Sequence, residues 1–179
     1  IISDHTGTHC DAPIHVLDGG KSIDQYPVDA FSGRAICLDL REYDEKAITT
    51  RAVKEAESKA CRAIKKGDVV LLCTEHSKHW GPIPEGMKYL QNRPWVDPAA
   101  AQYFIDKGIK VLGIDVGGPD LLGSHTVHDM LFSNNVLIVE TLCNLSCLLE
   151  KEFFFCCFPL KFTGTTGAPA RAVAIVDND

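Results

Sequence analysis

The sequence predicts an α/β fold, a mixed sheet with helices packed against it, and three observations carry that reading. A helix-period segment followed at once by a short apolar run occurs twice in succession, as expected of αβ units in series. Further short apolar runs, rich in β-branched and aromatic residues and bounded by Gly, Asn and Pro, follow downstream. The length of 179 residues suits one domain over 1–179, because domains typically run to about 100–200 residues.

Residues 35–40 form the first clear apolar strand. From Thr49 a helix is predicted, with Gly67 just past its end: Val53, Ala56, Ala60 and Ile64 recur at helical spacing, Thr49 or Thr50 caps the start, and the last turn is basic. Residues 68–75 follow as a strand buried on both faces. In the second unit Asp97 caps, Pro98 takes the first helical position, Gly108 ends the helix, and 109–116 is another buried strand. After the Gly117-Gly118-Pro119 turn, a short helix over 124–132 leads through Asn134-Asn135 into a strand at 136–142. Two last strands, 153–162 and 170–176, flank a Thr-Gly-Thr-Thr-Gly linker.

Composition excludes several functions. With 45% hydrophobic and 23% charged residues the chain is neither disordered nor fibrous. Its longest apolar stretch, 153–160, falls far short of the ~20 residues of a membrane-spanning helix. A formal charge of -6 lacks the basic footprint of a nucleic-acid binder, so neither nucleic acid nor membrane is an expected partner. Eight Cys, at positions including 10, 37, 73, 156 and 157, show no Cys-x-x-Cys pair, and several lie in apolar runs. Free thiols in a reducing, cytoplasmic compartment are the expectation. A thiol-based redox function would rest on the Cys count alone.

The seven His fall in three groups. His5-Thr-Gly-Thr-His9-Cys-Asp11-Ala-Pro-Ile-His15 concentrates three imidazoles and a carboxylate in eleven positions. Gly7 and Pro13 oppose a helix, and in an extended strand His9 and Asp11 point to one side. Two imidazoles with a carboxylate suit zinc or manganese and leave open positions for water, as at a catalytic metal site. Unrelated polar residues in a loop are the alternative, which the clustering of a scarce residue disfavours. The second group is His125 and His128, three apart on a short helix, followed by Glu140 in an apolar strand. A carboxylate there is costly unless it is paired or binds a cation, although a solvated helix and a Glu at a strand edge fit the pattern equally. The third, Thr74-Glu-His76-Ser-Lys-His79-Trp80-Gly81, follows a strand at its C-terminal end, where open α/β sheets place ligands. His76 and Trp80 are candidates to contact substrate, with an ordinary exposed loop as the alternative. Asp115 has a similar location and fits a structural role at least as well.

The eleven-residue run resembles the His-x-Gly-Thr-His-x-Asp-x-Pro-x-His signature of the cyclase family of metal-dependent hydrolases, which includes bacterial-type kynurenine formamidase and isatin hydrolase. Gly113-Ile-Asp115, His128 twelve residues before Glu140, Phe158-Pro-Leu-Lys161 and Gly167-Ala-Pro-Ala-Arg171 extend the resemblance over nearly the whole chain. It implies a swivelling β/β/α domain, usually a homodimer or higher homo-oligomer, with a further strand expected ahead of the motif. His5, His9 and Asp11 resemble ligands of a first divalent metal, and Asp11, His128 and Glu140 those of a second where two ions are bound. His15 resembles the family's general acid/base. His125 stands where the family pattern names no residue, as a further candidate for metal or substrate.

A zinc or manganese ion would lower the pKa of a coordinated water to about 7 and polarise a carbonyl, and His15 would carry the proton. The resemblance thus implies hydrolysis of a non-peptide amide C-N bond. The first substrate is an arylformamide such as N-formylkynurenine, a step of tryptophan catabolism, and a cyclic amide such as isatin comes second. An inactive metal-binding scaffold of the same fold is the rival, disfavoured by the retention of both ligand sets and His15.

Overall fold

The computed structural model describes residues 1–82 and 86–176. In chain order the elements are β1 (His9–Asp11), β2 (Ser32–Asp39), β3 (Ala47–Ile48), α1 (Thr50–Lys59), β4 (Val69–Cys73), α2 (Met87–Gln91), β5 (Trp95–Val96), α3 (Pro98–Lys107), β6 (Val111–Ile114), α4 (Thr126–Ser133), β7 (Leu137–Glu140), β8 (Phe153–Pro159) and β9 (Gly167–Ile175). The mixed α/β organisation with helices against a sheet is present. That sheet curls on itself into a closed barrel of order β1-β7-β6-β4-β2-β8-β9, with β9 returning to β1, which the image of a swivelling β/β/α domain does not convey. β2, β4, β6 and β7 run parallel, while β1, β8 and β9 join by antiparallel pairing. A small parallel pair, β3 with β5, stands apart.

The parallel strands carry the core, because helices cover their outer faces. Every residue of β4 and β6 is buried, as the unbroken Val-Val-Leu-Leu-Cys and Val-Leu-Gly-Ile runs require. The helices pack through small residues, Ala52 and Ala56 on α1 and Ala100 and Ala101 on α3, so that Val53 and Phe104 reach the core. Full burial of a side chain such as Phe104 contributes about 1.5–3 kcal/mol. α3 begins and ends as its sequence dictates: Asp97 accepts the Ala100 N–H at 2.7 Å, Pro98 opens the first turn, and Gly108 closes it in the left-handed region at φ 68°.

α1 is shorter than its periodicity predicts, ending at Lys59 rather than near Gly67. Beyond it the chain unwinds and Arg62 turns inward to pair with the buried Asp68, Nη1 to Oδ2 2.5 Å, while Ile64 reaches the core from a non-helical segment. Its N–H donates to Glu57 Oε1 at 2.9 Å. A buried carboxylate must be paired, and that demand overrides local helix propensity. All eight cysteines are free, five of them buried. No described helix is long and apolar enough to cross a membrane.

Candidate metal centre

β1 is short and extended because Gly7, at φ 62°, turns the chain before it and Pro13 opens a 3₁₀ turn, Pro13–His15, after it. Alternation along the strand puts His9 and Asp11 on one side and Cys10 on the other, against Cys157 at 3.4 Å. Register supplies the next residue: His9 lies directly opposite Glu140 of β7, and such antiparallel partners share a face. α4 brings His128 from the side, and His5 reaches back from the segment before Gly7. Glu140 is the last residue of β7, so the cluster forms where β1 meets the C-terminal end of the parallel strands.

Around Asp11 the distances are short. Its Oδ1 is 2.9 Å from His5 Nδ1 and 3.1 Å from His9 Nε2, and its Oδ2 is 3.3 Å from His128 Nε2. Glu140 stands 3.5 Å from His9 Nε2 and 3.1 Å from His128 Nε2. Except for His5, which is partly exposed, these side chains are almost wholly buried. His15 lies against them, its ring centroid 4.3 Å from that of His5 and 5.7 Å from that of His128. His125 is exposed at the rim, 6.1 Å by centroid from both His15 and His128.

The nitrogens that face away from the cluster are each held by oxygen. His9 Nδ1 is 2.7 Å from Gly7 O, His128 Nδ1 meets Asp120 Oδ2, and His5 Nε2 is 2.8 Å from Thr166 Oγ1. Such partners fix ring orientation and aim the remaining lone pairs inward. His9 Nε2, Asp11 Oδ1 and Glu140 Oε1 are buried and make no well-directed hydrogen bond among the described residues, although they nearly touch. Buried polar atoms converging on one point without satisfying one another fit a divalent cation, and the oxygen and nitrogen donor set suits zinc or manganese.

Titration follows from the same crowding. Burial opposes protonation of His9 and His128, but Asp11, joined by Glu140 and, at His128, by Asp120, raises them to about 9 and about 11. Burial also works against ionised Asp11, yet the adjacent imidazoles of His128, His5 and His9 hold its carboxyl well below the ordinary range. Burial and then the charge of Asp11 push Glu140 up. Burial lowers His15.

Next to this cluster lies a cavity of about 320 Å³, bounded by Thr8, Ser77, Trp80, Tyr89, Thr141 and Cys143 among others. It is joined to the cluster through chain neighbours, since Thr8 precedes His9 and Thr141 follows Glu140. Trp80, 60% exposed, packs edge-on against buried Tyr89 with centroids 4.9 Å apart, forming an aromatic wall. His76, expected to face substrate, is instead fully buried away from this cavity, its ring between Asp44 and the Tyr89 carbonyl. The chain turns through a left-handed residue at Glu75, φ 59°, and directs Ser77 and Trp80 to the cavity in place of His76. Asp115, buried beside this loop, accepts the backbone N–H and hydroxyl of Thr74, a structural role. Asp120 and Thr166, which hold the outer nitrogens of His128 and His5, have no signal in the local sequence pattern. Asp120 directly follows the Gly117-Gly118-Pro119 turn, and the only sign of its role is the need of a metal-binding imidazole for an oxygen partner.

The family model Cyclase ("Putative cyclase") matches residues 1–121. A kynurenine formamidase of Bacillus cereus is 28% identical over 174 residues, covering 96% of this chain and 76% of that protein. Among solved structures, one described as a potential metal-dependent hydrolase with cyclase activity is 32% identical with a TM-score of 0.82, covering 100% of this chain and 82% of its own. An isatin hydrolase bound to the product analogue thioisatinate is 25% identical with a TM-score of 0.87, covering 99% and 74%. With the His5-to-His15 run and its partners converging on one buried cluster, and with the family model spanning more than half its length, the chain belongs to the cyclase family of hydrolases.

Proposed function

We propose that the chain hydrolyses a non-peptide amide C-N bond in a metal-dependent reaction, with an arylformamide such as N-formylkynurenine as its first substrate. The observation that carries this reading is the convergence of His5, His9, Asp11, His128 and Glu140, with unsatisfied buried atoms at its centre, beside His15 and a cavity with an aromatic wall. When bound, one or two divalent ions, zinc or manganese, supply an acidified water and polarise a carbonyl. His15, given no ligand role and kept neutral by its burial, accepts a proton from the attacking water and returns it to the leaving nitrogen. Trp80 and Tyr89 offer ring faces and edges to a planar aromatic amide, and His125 at the rim is placed to meet its polar end.

A hydrolysis screen of arylformamides and cyclic amides with metal-loaded and chelated protein tests the reading. Turnover of an arylformamide that is lost on chelation and restored by zinc or manganese is expected. Turnover of cyclic amides alone shifts the assignment to an isatin-type substrate, and no metal-dependent turnover of either class leaves the inactive scaffold. Replacing His15 by Ala is expected to leave bound metal unchanged while turnover falls by about 10²–10⁴. Unchanged turnover removes its role. Assembly as a homodimer or higher homo-oligomer is proposed from the resemblance, and sedimentation velocity checks it.

A further inference from the structure

The loop after β4 contains a second convergence of ligand-type side chains, remote in sequence from those of the first. Asp44, at the end of the 3₁₀ turn Arg41–Tyr43, reaches two imidazoles of the turn His76–His79: its Oδ1 is 2.5 Å from His76 Nδ1 and its Oδ2 is 3.3 Å from His79 Nε2. The three donor atoms lie within 4.8 Å of one another. His76 is completely buried, while Asp44 and His79 keep 19% and 17% side-chain exposure, so the group opens to solvent on one side.

The surroundings of His76 carry the argument. Nε2 faces the carbonyl oxygen of Tyr89 at 3.2 Å and Nδ1 faces a carboxylate oxygen, and neither oxygen has a proton to give. A single ring proton on either nitrogen leaves the other nitrogen's lone pair against an oxygen, a contact that a second proton or a cation bound in its place makes favourable. An imidazole whose outer N–H is fixed on a backbone carbonyl is the arrangement that orients metal-ligating histidines, and His9 has it on Gly7 O. Lys78 already provides a cation at this carboxylate, with Nζ 2.8 Å from Asp44 Oδ2, but its side chain is half-exposed and free to swing into water. Donors of a tetrahedral site with bonds of about 2.0–2.1 Å stand roughly 3.4 Å apart, so the His79 contact has that spacing and the His76 contact needs to open by about 1 Å.

We propose that Asp44, His76 and His79 form a second divalent-cation site of the zinc class, with solvent in the remaining position and Lys78 as its internal competitor. The site clamps the loop preceding β3 to the turn that carries Ser77 and Trp80, and thereby fixes one wall of the cavity. It is a loop-clamping site with no part in bond cleavage, and it stands independently of the amide-hydrolase reading.

Equilibrium dialysis of the full chain against Zn²⁺, with elemental analysis, tests it on the wild type, His79→Ala, Lys78→Met and Asp11→Asn. His79→Ala is expected to bind one equivalent fewer than the wild type while the cluster around Asp11 keeps its ions, whereas Asp11→Asn loses ions from the other cluster only. Equal ion counts in wild type and folded His79→Ala overturn the proposal. Should His79→Ala fail to fold, Lys78→Met decides: removal of the competing ammonium is expected to tighten the additional Zn²⁺ by three-fold or more, and an unchanged Kd overturns the site. If Asp11→Asn keeps every ion while His79→Ala loses one, the catalytic-centre reading fails and this one stands.

Discussion

Asp120 does two things at once. It accepts the backbone N–H groups of Val127 and His128 at 2.7 and 3.1 Å, satisfying donors at the start of α4, and its Oδ2 holds His128 Nδ1. One carboxylate therefore fixes both the helix that carries His128, a proposed metal ligand, and the orientation of its ring. Replacing Asp120 by Ala is expected to weaken metal binding about 10–100-fold and to cost about 1 kcal/mol of stability, read by dialysis and by denaturant unfolding. Unchanged metal affinity shows that packing alone orients His128. At this scale the sequence was informative where chemistry is concentrated, since His5, His9, Asp11 and His15 share eleven positions and alternation alone aligns His9 with Asp11. It was uninformative where a partner is defined only by the fold. Asp120 meets a ring eight residues away, and His76 turns from the cavity because Glu75 adopts a left-handed conformation that no local pattern announces.

Elements with strong local signals formed where those signals stood. α3 has its Asp97 cap and its left-handed Gly108, and β4 and β6 are the buried runs expected of them. α1 departs because its end is set by the Arg62–Asp68 pair, a tertiary demand. The register of β1 with β9 was also out of reach, as it joins segments more than 150 residues apart. That register gives Gly167 its meaning. A Cβ there would sit 2.8 Å from Cys10 O, 3.0 Å from His5 Cε1 and 3.2 Å from Asp11 Oδ1, so the missing side chain makes room for two of the proposed ligands. Gly167→Ala is expected to cost about 1–3 kcal/mol through overpacking and to reduce metal affinity, measured by thermal unfolding and dialysis. Wild-type affinity in that variant shows that the strands part without disturbing His5 or Asp11.

For the whole molecule, stability carries the titration of Asp115. Burial raises this carboxyl to about 6, against the hydrogen bonds from Thr74 that favour ionisation. In the unfolded chain it titrates near 3.8. Between those values the folded state keeps a proton that the unfolded state has released, so stability falls as pH rises through about 4 to 6 and stays lowered above. Asp115→Asn retains an acceptor for Thr74 and is expected to flatten that slope, leaving the variant about 2–3 kcal/mol more stable at pH 7. Parallel unfolding profiles of the two proteins from pH 4 to 7 would refute this. The barrel as a whole has a further property. β1 is its shortest stave, three residues long, yet both of its edges are bonded, to β7 and to β9. Two of those three residues, His9 and Asp11, project into the candidate cluster beside Glu140 of β7, and His5 holds Thr166, just ahead of β9, at 2.8 Å, so a bound ion would brace β1 against β7 and, through His5, against the segment that enters β9. Chelated protein is therefore expected to open there first, with protease cutting between β8 and β9, around Gly164, faster than in the metal-loaded form while the parallel strands stay intact. Equal cutting rates in the two forms would place the strength of this closure in its backbone hydrogen bonds alone.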